Sequence, residues 1–262
     1  MLLKSIKKGL FWLILMISTL SYAQTGLPEL LETAHSTPEN QVFINKKFSQ
    51  FLAPLRALDK ENLSSLRTIF RKTQKTFLHT YRAYSGIDDL FSTGYYDCLT
   101  ATSLFSLVLD ELGYSYSIME TNYHVFLLVR TTRGEVLVES TDRFDGLITD
   151  ADAIAERVET YRNQAPTASQ DQLQTYYQYN CQLYKPIHRE ELIGLIYYNK
   201  AVVAYNNNNW NQSRDFIAKA RQRYASPRCL ELEALLEAQI TVSIQSTTEQ
   251  SLGRSSGIQH QR

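Results

Sequence analysis

The chain has 262 residues, enough for one sizeable domain with a smaller module beside it. Its 27 basic and 27 acidic side chains cancel, which argues against a nucleic-acid partner and against a strongly charged substrate. There is no Gly-rich phosphate loop, and the histidines do not stand at metal-ligand spacing with Cys, Asp or Glu, so no cofactor and no metal are expected.

Residues 1–23 read as an export signal. Lys4, Lys7 and Lys8 precede an apolar run from Leu10 to Leu20, and Ser21-Tyr22-Ala23 presents small residues for cleavage after Ala23. The run falls short of the ~20 residues a membrane span needs. The mature chain is therefore expected in the periplasm or outside the cell, with no stable membrane span. Three cysteines in an oxidising compartment leave one thiol unpaired. A Cys181–Cys229 bridge would leave Cys98 free; three buried, inert thiols are the alternative.

Residues 27–84 read as helical. Pro28 to His35 forms a short helix, and Val42, Phe43, Phe48, Phe51, Leu52 and Leu55 mark an apolar face that Pro54 kinks or ends. A second amphipathic helix carries Leu66, Ile69, Phe70, Phe77 and Tyr81, with Asn62 or Ser64 as its cap and His79 as a surface residue. Its basic residues Arg67, Arg71, Lys72, Lys75 and Arg82 read as a solvated face. Ser85 to Tyr96 reads as loop.

The segment from Gly94 to Asp142 carries the chemistry. Helical spacing of Leu104, Leu107, Val108 and Leu112 predicts a helix, with Asp97 as its N-cap and Gly113 past its end. Cys98 then falls in the first turn, where the helix dipole and unpaired N–H groups favour a thiolate. Tyr123 to Arg130 and Glu135 to Glu139 read as a hairpin joined by Thr131-Thr132-Arg133-Gly134. With the turn centred on Thr132-Arg133, paired residue numbers sum to 265, so His124 faces Thr141. Glu139 is then diagonal to His124 on the same face, roughly 7–8 Å away between backbones and within reach of a long side chain. A loop one residue longer would put Glu139 on the opposite face. Cys98 as nucleophile, His124 as base and Glu139 as the acid that orients the imidazole follow from this arrangement. Asp142 and Asp145 are alternative acids, lying beyond the strand. The Cys98 N–H is a candidate oxyanion donor, with a second from the preceding loop or from Tyr95-Tyr96; Tyr95, Tyr96 and Asn122 are candidate substrate contacts.

The runs YDCLTATSLFSLVLDELGY, YHVFLLV and VLVEST resemble the core of the transglutaminase-like cysteine-peptidase superfamily. That resemblance implies a Cys at a helix N-terminus, His and an acid on neighbouring strands, and acyl-transfer chemistry at an amide or peptide bond. It also implies that the preceding helices pack around the helix bearing the nucleophile. The acid there is most often Asp; Glu139 departs from this, as in a bacterial subgroup that couples the core to a tetratricopeptide-like tail.

Thr141 to Asp150 reads as a loop at the rim of the cleft, Ala151 to Tyr161 as a helix, and Asn163 to Ser169 as a linker. The aromatic run Thr175 to Tyr184 reads as a packing strip. From Arg189 the pattern becomes helix–turn–helix. Ala201, Ser213, Ile217 and Ala220 fall where a tetratricopeptide repeat needs close contact, and Trp210 stands at its usual aromatic position, while Lys200 departs from the pattern. One such repeat cannot form a long groove, so it reads as a small docking or scaffold module.

The expected fold is α+β: a transglutaminase-like or papain-like core, with a helix packed on a small antiparallel sheet, and a C-terminal tetratricopeptide-like module. Its parts are a signal at 1–23, the core at 24–165, a linker or packing segment at 166–188, the helical module at 189–242 and a structureless polar tail at 243–262. The expected function is an exported thiol-dependent peptidase, amidase or acyl transferase acting on a protein, peptide or cell-wall peptide, with a possible protein partner at the helical module. A non-catalytic envelope scaffold or binding protein that keeps the fold is the alternative.

Overall fold

A computed structural model describes residues 26–34, 36–122, 124–163 and 183–256, with side chains described as far as residue 241. The expected signal segment, Cys181, and nearly all of the linker and aromatic run lie outside the described residues.

Among the described residues, three helices lead in: α1 (Gly26–Glu32), α2 (Pro38–Leu52) and α3 (Leu63–Phe77). Helix α2 starts at Pro38 behind a Thr37 cap and ends before Pro54, so that proline is a boundary and not a kink. Val42 and Phe43 face solvent, while Phe48, Leu52 and Leu55 of the expected face are buried with Ile44, and Phe51 packs partly buried against the same core. The Asn62 side chain caps α3 by accepting from the Ser64 N–H at 2.9 Å. The basic residues of α3 are exposed, and the helix stops at Phe77, so His79 lies beyond it.

The connection from Ser85 is not all loop. It contains α4 (Ile87–Ser92), and β2 (Tyr95–Tyr96) pairs in parallel with β1 (Thr80–Tyr81). Helix α5 (Cys98–Glu111) follows, and Gly113 leaves it with φ 71, a left-handed backbone that suits glycine.

Five strands form one antiparallel sheet in the order β6-β5-β4-β3-β7: β3 (Tyr116–Thr121), β4 (Val125–Thr131), β5 (Gly134–Val138), β6 (Leu147–Ile148) and β7 (Tyr184–Ile187). The register of β4 on β5 runs from Leu127 opposite Val138 to Thr131 opposite Gly134, the pairing expected from a two-residue turn. Both faces of the sheet are covered. Val125, Leu127 and Val129 join the main core with Leu104, Phe105 and Val108 of α5. Phe126 and Leu128 pack with Tyr161 and its helix α6 (Ala151–Asn163). Two covered faces explain why Val125 to Val129 is uninterruptedly apolar instead of alternating.

The helices after residue 188, α7 (Arg189–Asn206), α8 (Trp210–Arg223) and α9 (Pro227–Ser256), do not stand apart. Leu192, Leu195, Ile196 and Tyr224 belong to the same core as α5. Ala201, Ser213 and Ala220 are fully buried, and Ser213 Oγ donates to the Ala201 carbonyl at 2.9 Å, so small residues do bring α7 and α8 close. Polar ties add to this contact. Arg228 meets the buried Glu120 of β3 at 2.9 Å, Tyr224 donates to the same carboxylate at 2.6 Å, and Tyr197 and Lys200 donate to the carbonyls of Glu32 and Thr33 at the C-terminal end of α1. Helix α9 runs on to Ser256, where a structureless tail was expected from residue 243. A helix already nucleated at Pro227 extends at little cost through a polar stretch that lacks proline.

Because helices α7 to α9 supply one wall of the core, a chain cut before Arg189 should not fold. Near-ultraviolet circular dichroism and denaturant titration of the truncated chain should show no cooperative transition.

Candidate active site

Helix α5 presents Cys98 as its first residue. The Asp97 carboxylate caps the helix, accepting from the N–H groups of Leu99 and Thr100, the latter at 2.8 Å, while Thr100 Oγ1 accepts from the Asp97 N–H at 2.9 Å. This reciprocal cap takes the second and third helical N–H groups and leaves that of Cys98 outside it. Burial pushes the Asp97 carboxyl up to about 6, against the pull of its bonds to Thr100, Leu99 and Asn199.

His124 stands just before β4 and Glu139 just after β5. Their side chains meet at 2.5 Å between Nε2 and Oε2. An ionised carboxylate only accepts, so Nε2 carries the proton and Nδ1 is the ring nitrogen left for the Cys98 thiol, which is hydrogen-bonded to the imidazole. Glu139 is 2 % exposed and accepts from four donors. Thr141 N and Oγ1 reach Oε1 at 2.9 and 2.6 Å; His124 and the Tyr161 hydroxyl share Oε2. The Tyr161 ring also lies against the imidazole, 4.7 Å between centroids.

Burial alone would lower the His124 pKa. Its interaction with Cys98, its hydrogen bond to Glu139 and the Glu139 charge together outweigh burial and raise it to about 10. Burial would raise that of Glu139; His124, Thr141 and Tyr161 hold it at about 2. Two opposed shifts of this kind in one buried pair are the pattern of a charged imidazolium–carboxylate couple.

Thr102, one turn along α5 from Cys98, fixes the helix to both strands. Its Oγ1 contacts the Val125 carbonyl at 3.2 Å and Ser140 Oγ at 2.9 Å, and those two residues directly follow His124 and Glu139. Gln74 of α3 donates to the Ser140 carbonyl at 2.8 Å. Behind the acid, the Glu139 N–H donates to the Gly146 carbonyl at 2.7 Å, and a Cβ on Gly146 would stand 2.3 Å from the Glu139 carbonyl oxygen. Only glycine permits that approach.

The sequence places Cys98, His124 and Glu139 together, and in the structure they meet. Asp142 instead caps its own turn, accepting from Phe144 and Asp145 N–H groups, and Asp145 lies in the same exposed turn. Of the candidate substrate contacts, Asn122 Oδ1 accepts from Leu183 N at 2.5 Å and so ties the chain entering β7. Tyr95 lies beneath the Arg82 guanidinium, and Tyr96 is buried edge-on to Tyr81. Tyr81 and Tyr84 are exposed rings, and partial burial of their hydroxyls pushes both pKa values up. Sequence reasoning missed Thr102, Thr141 and Tyr161. The stripe Ile154, Val158, Tyr161 signals a buried helix face, and Tyr161 gives that face a polar tip. Cys229 is a buried free thiol; Cys181, the partner considered for it, lies outside the described residues.

Compared with protein-family models, with curated proteins and with solved structures, the chain matches none.

Two predictions follow from this geometry. Thr102→Val, similar in shape but without the hydroxyl, should lower stability by about 1–3 kcal/mol in denaturant titration, because a buried carbonyl and hydroxyl lose their partner. The charge pair also shapes the pH dependence. His124 has its ordinary pKa of 6.5 when unfolded and about 10 when folded, so its contribution is full below pH 6.5 and lost as pH rises through about 10. Glu139 falls from 4.5 to about 2 on folding, so its contribution is full above pH 4.5 and lost as pH falls through about 2. The excess stability of the native chain over Glu139→Gln, measured against pH, should therefore peak between pH 4.5 and 6.5.

Proposed function

We propose that this chain is an exported thiol-dependent hydrolase or acyl transferase acting on an amide or peptide bond, built on a transglutaminase-like core with a tetratricopeptide-like module. The observation that carries the reading is the buried His124–Glu139 pair, 2.5 Å apart, with a cysteine at a helix N-terminus close enough to the imidazole to help raise its pKa.

The proton of Cys98 resides on His124 Nδ1, giving a thiolate beside the imidazolium, and the Cys98 Sγ thiolate attacks the carbonyl carbon. The oxyanion that forms lies against the Cys98 N–H, which the Asp97 cap leaves outside its bonds. The imidazolium returns the proton to the departing amine as the C–N bond breaks, leaving a thioester on Cys98. Water, deprotonated by His124, releases an acid; an amine acceptor gives a new amide instead. Glu139 stays ionised throughout and, gripped by Thr141 and Tyr161, keeps the imidazole in the tautomer that faces the thiol.

Iodoacetamide labelling of the folded protein, read by peptide mapping, tests the assignment. Cys98 should label readily while the buried Cys229 is spared. The Cys98 rate should fall about tenfold or more in His124→Ala, since a positioned base is worth at least that much. Cys98 labelling that ignores His124, or that fails in the native state, would overturn the enzyme and leave a binding protein.

A further inference from the structure

A cleft of about 460 Å³ opens between the start of α5 and the helical pair α7–α8, a size suited to a small ligand or a few peptide residues. One wall carries the carboxylates of Asp88, Asp89 and Asp97; the facing wall carries the carboxamides of Asn199, Asn207 and Gln212. Leu99 and Thr100, the residues after Cys98, form part of its floor. Tyr84 borders the cleft together with Asp97, the residue that precedes Cys98. The Tyr84 backbone has φ 61, a left-handed conformation that costs a non-glycine residue of order 1 kcal/mol or more and is concentrated at functional sites.

The charge of the cleft is one-sided. Among the described residues that line it, the one cation is Lys200, whose ammonium donates to the Thr33 carbonyl and sits over the Phe216 ring at 5.6 Å. Among the described lining residues carboxylates outnumber ammonium groups, which favours a cationic ligand, and carboxamides supply the paired donors and acceptors that match a peptide backbone.

We propose that this cleft is a substrate subsite for a peptide bearing a primary ammonium side chain, held with its backbone along α7–α8 and its reacting bond beside Tyr84 and Cys98. The role of the reacting bond rests on Cys98 being an acyl-transfer nucleophile; the binding does not. Asp97 couples the two, since its carboxylate both caps the helix of Cys98 and is hydrogen-bonded by Asn199 from the cleft wall.

Calorimetric titration of the full-length Cys98→Ala protein, which cannot turn over, provides the test. The probes are a capped alanine pentapeptide with lysine at its centre, matched peptides with norleucine or glutamate there, and n-pentylamine. The lysine peptide should bind at least about tenfold more tightly than the other two peptides, a difference of about 1.4 kcal/mol. Asp88→Asn and Asn207→Lys should each weaken it by a similar factor with an unchanged thermal midpoint. Equal binding of the three peptides, no binding of the lysine peptide, or affinity indifferent to both substitutions would overturn the proposal. Pentylamine binding as tightly as the peptide would also overturn it, because the site would then recognise a free amine. Cys98 alkylation is unaffected by these outcomes, so the subsite and the nucleophile can fail separately.

Discussion

A carboxylate with almost no access to water must be surrounded by donors or it will not stay ionised. Glu139 meets that demand with Thr141 from its own strand end, Tyr161 from the helix behind the sheet and His124 from the neighbouring strand. Each donor fixes an element. Thr141 shapes the exit from β5, Tyr161 sets how α6 lies on the sheet, and His124 sets the start of β4. The imidazole thereby becomes the charged hinge between the acid and the thiol.

The second requirement is that α5 and the sheet hold one relative position, because the proposed nucleophile and base would lose each other on a displacement of about an ångström. Side-chain packing of Leu104, Phe105 and Val108 supplies the adhesion, but apolar contacts are tolerant of sliding. Thr102 removes that tolerance by bonding at the level of Val125 and Ser140. The buried polar bridge Glu120–Arg228 does the same for the helices after residue 188. Hydrophobic burial drives the assembly, while a few directional bonds choose its alignment.

The hairpin was legible because its signals are local: a turn of fixed length and a period of two determine which residues share a face. The cap at Asp97 and the stop at Gly113 are equally local. Strand β3 was not legible, since Glu120 occupies a core-facing position that reads as polar until Arg228, more than a hundred residues later, is brought to it. Pro186 disguised β7, which tolerates it as an edge strand. Tyr161 could be read as buried, but its bond to Glu139 depends on how α6 crosses the sheet, and no local pattern encodes that. The boundary expected near residue 189 marked a real change of pattern: the later helices enclose a cluster of their own around Ala201, Ile217 and Leu232, while Leu192, Leu195, Ile196 and Tyr224 also join the core of α5.

The shared core bears on when the protein can mature. Leu192 to Ile196 and Tyr224 close the same interior as α5, so a nascent chain that has produced Cys98, His124 and Glu139 still lacks one wall of its core. Contacts of such long sequence separation form late. The thiol is therefore made well before it is sheltered, and the last third of the chain acts as the closing step that turns three synthesised residues into one site.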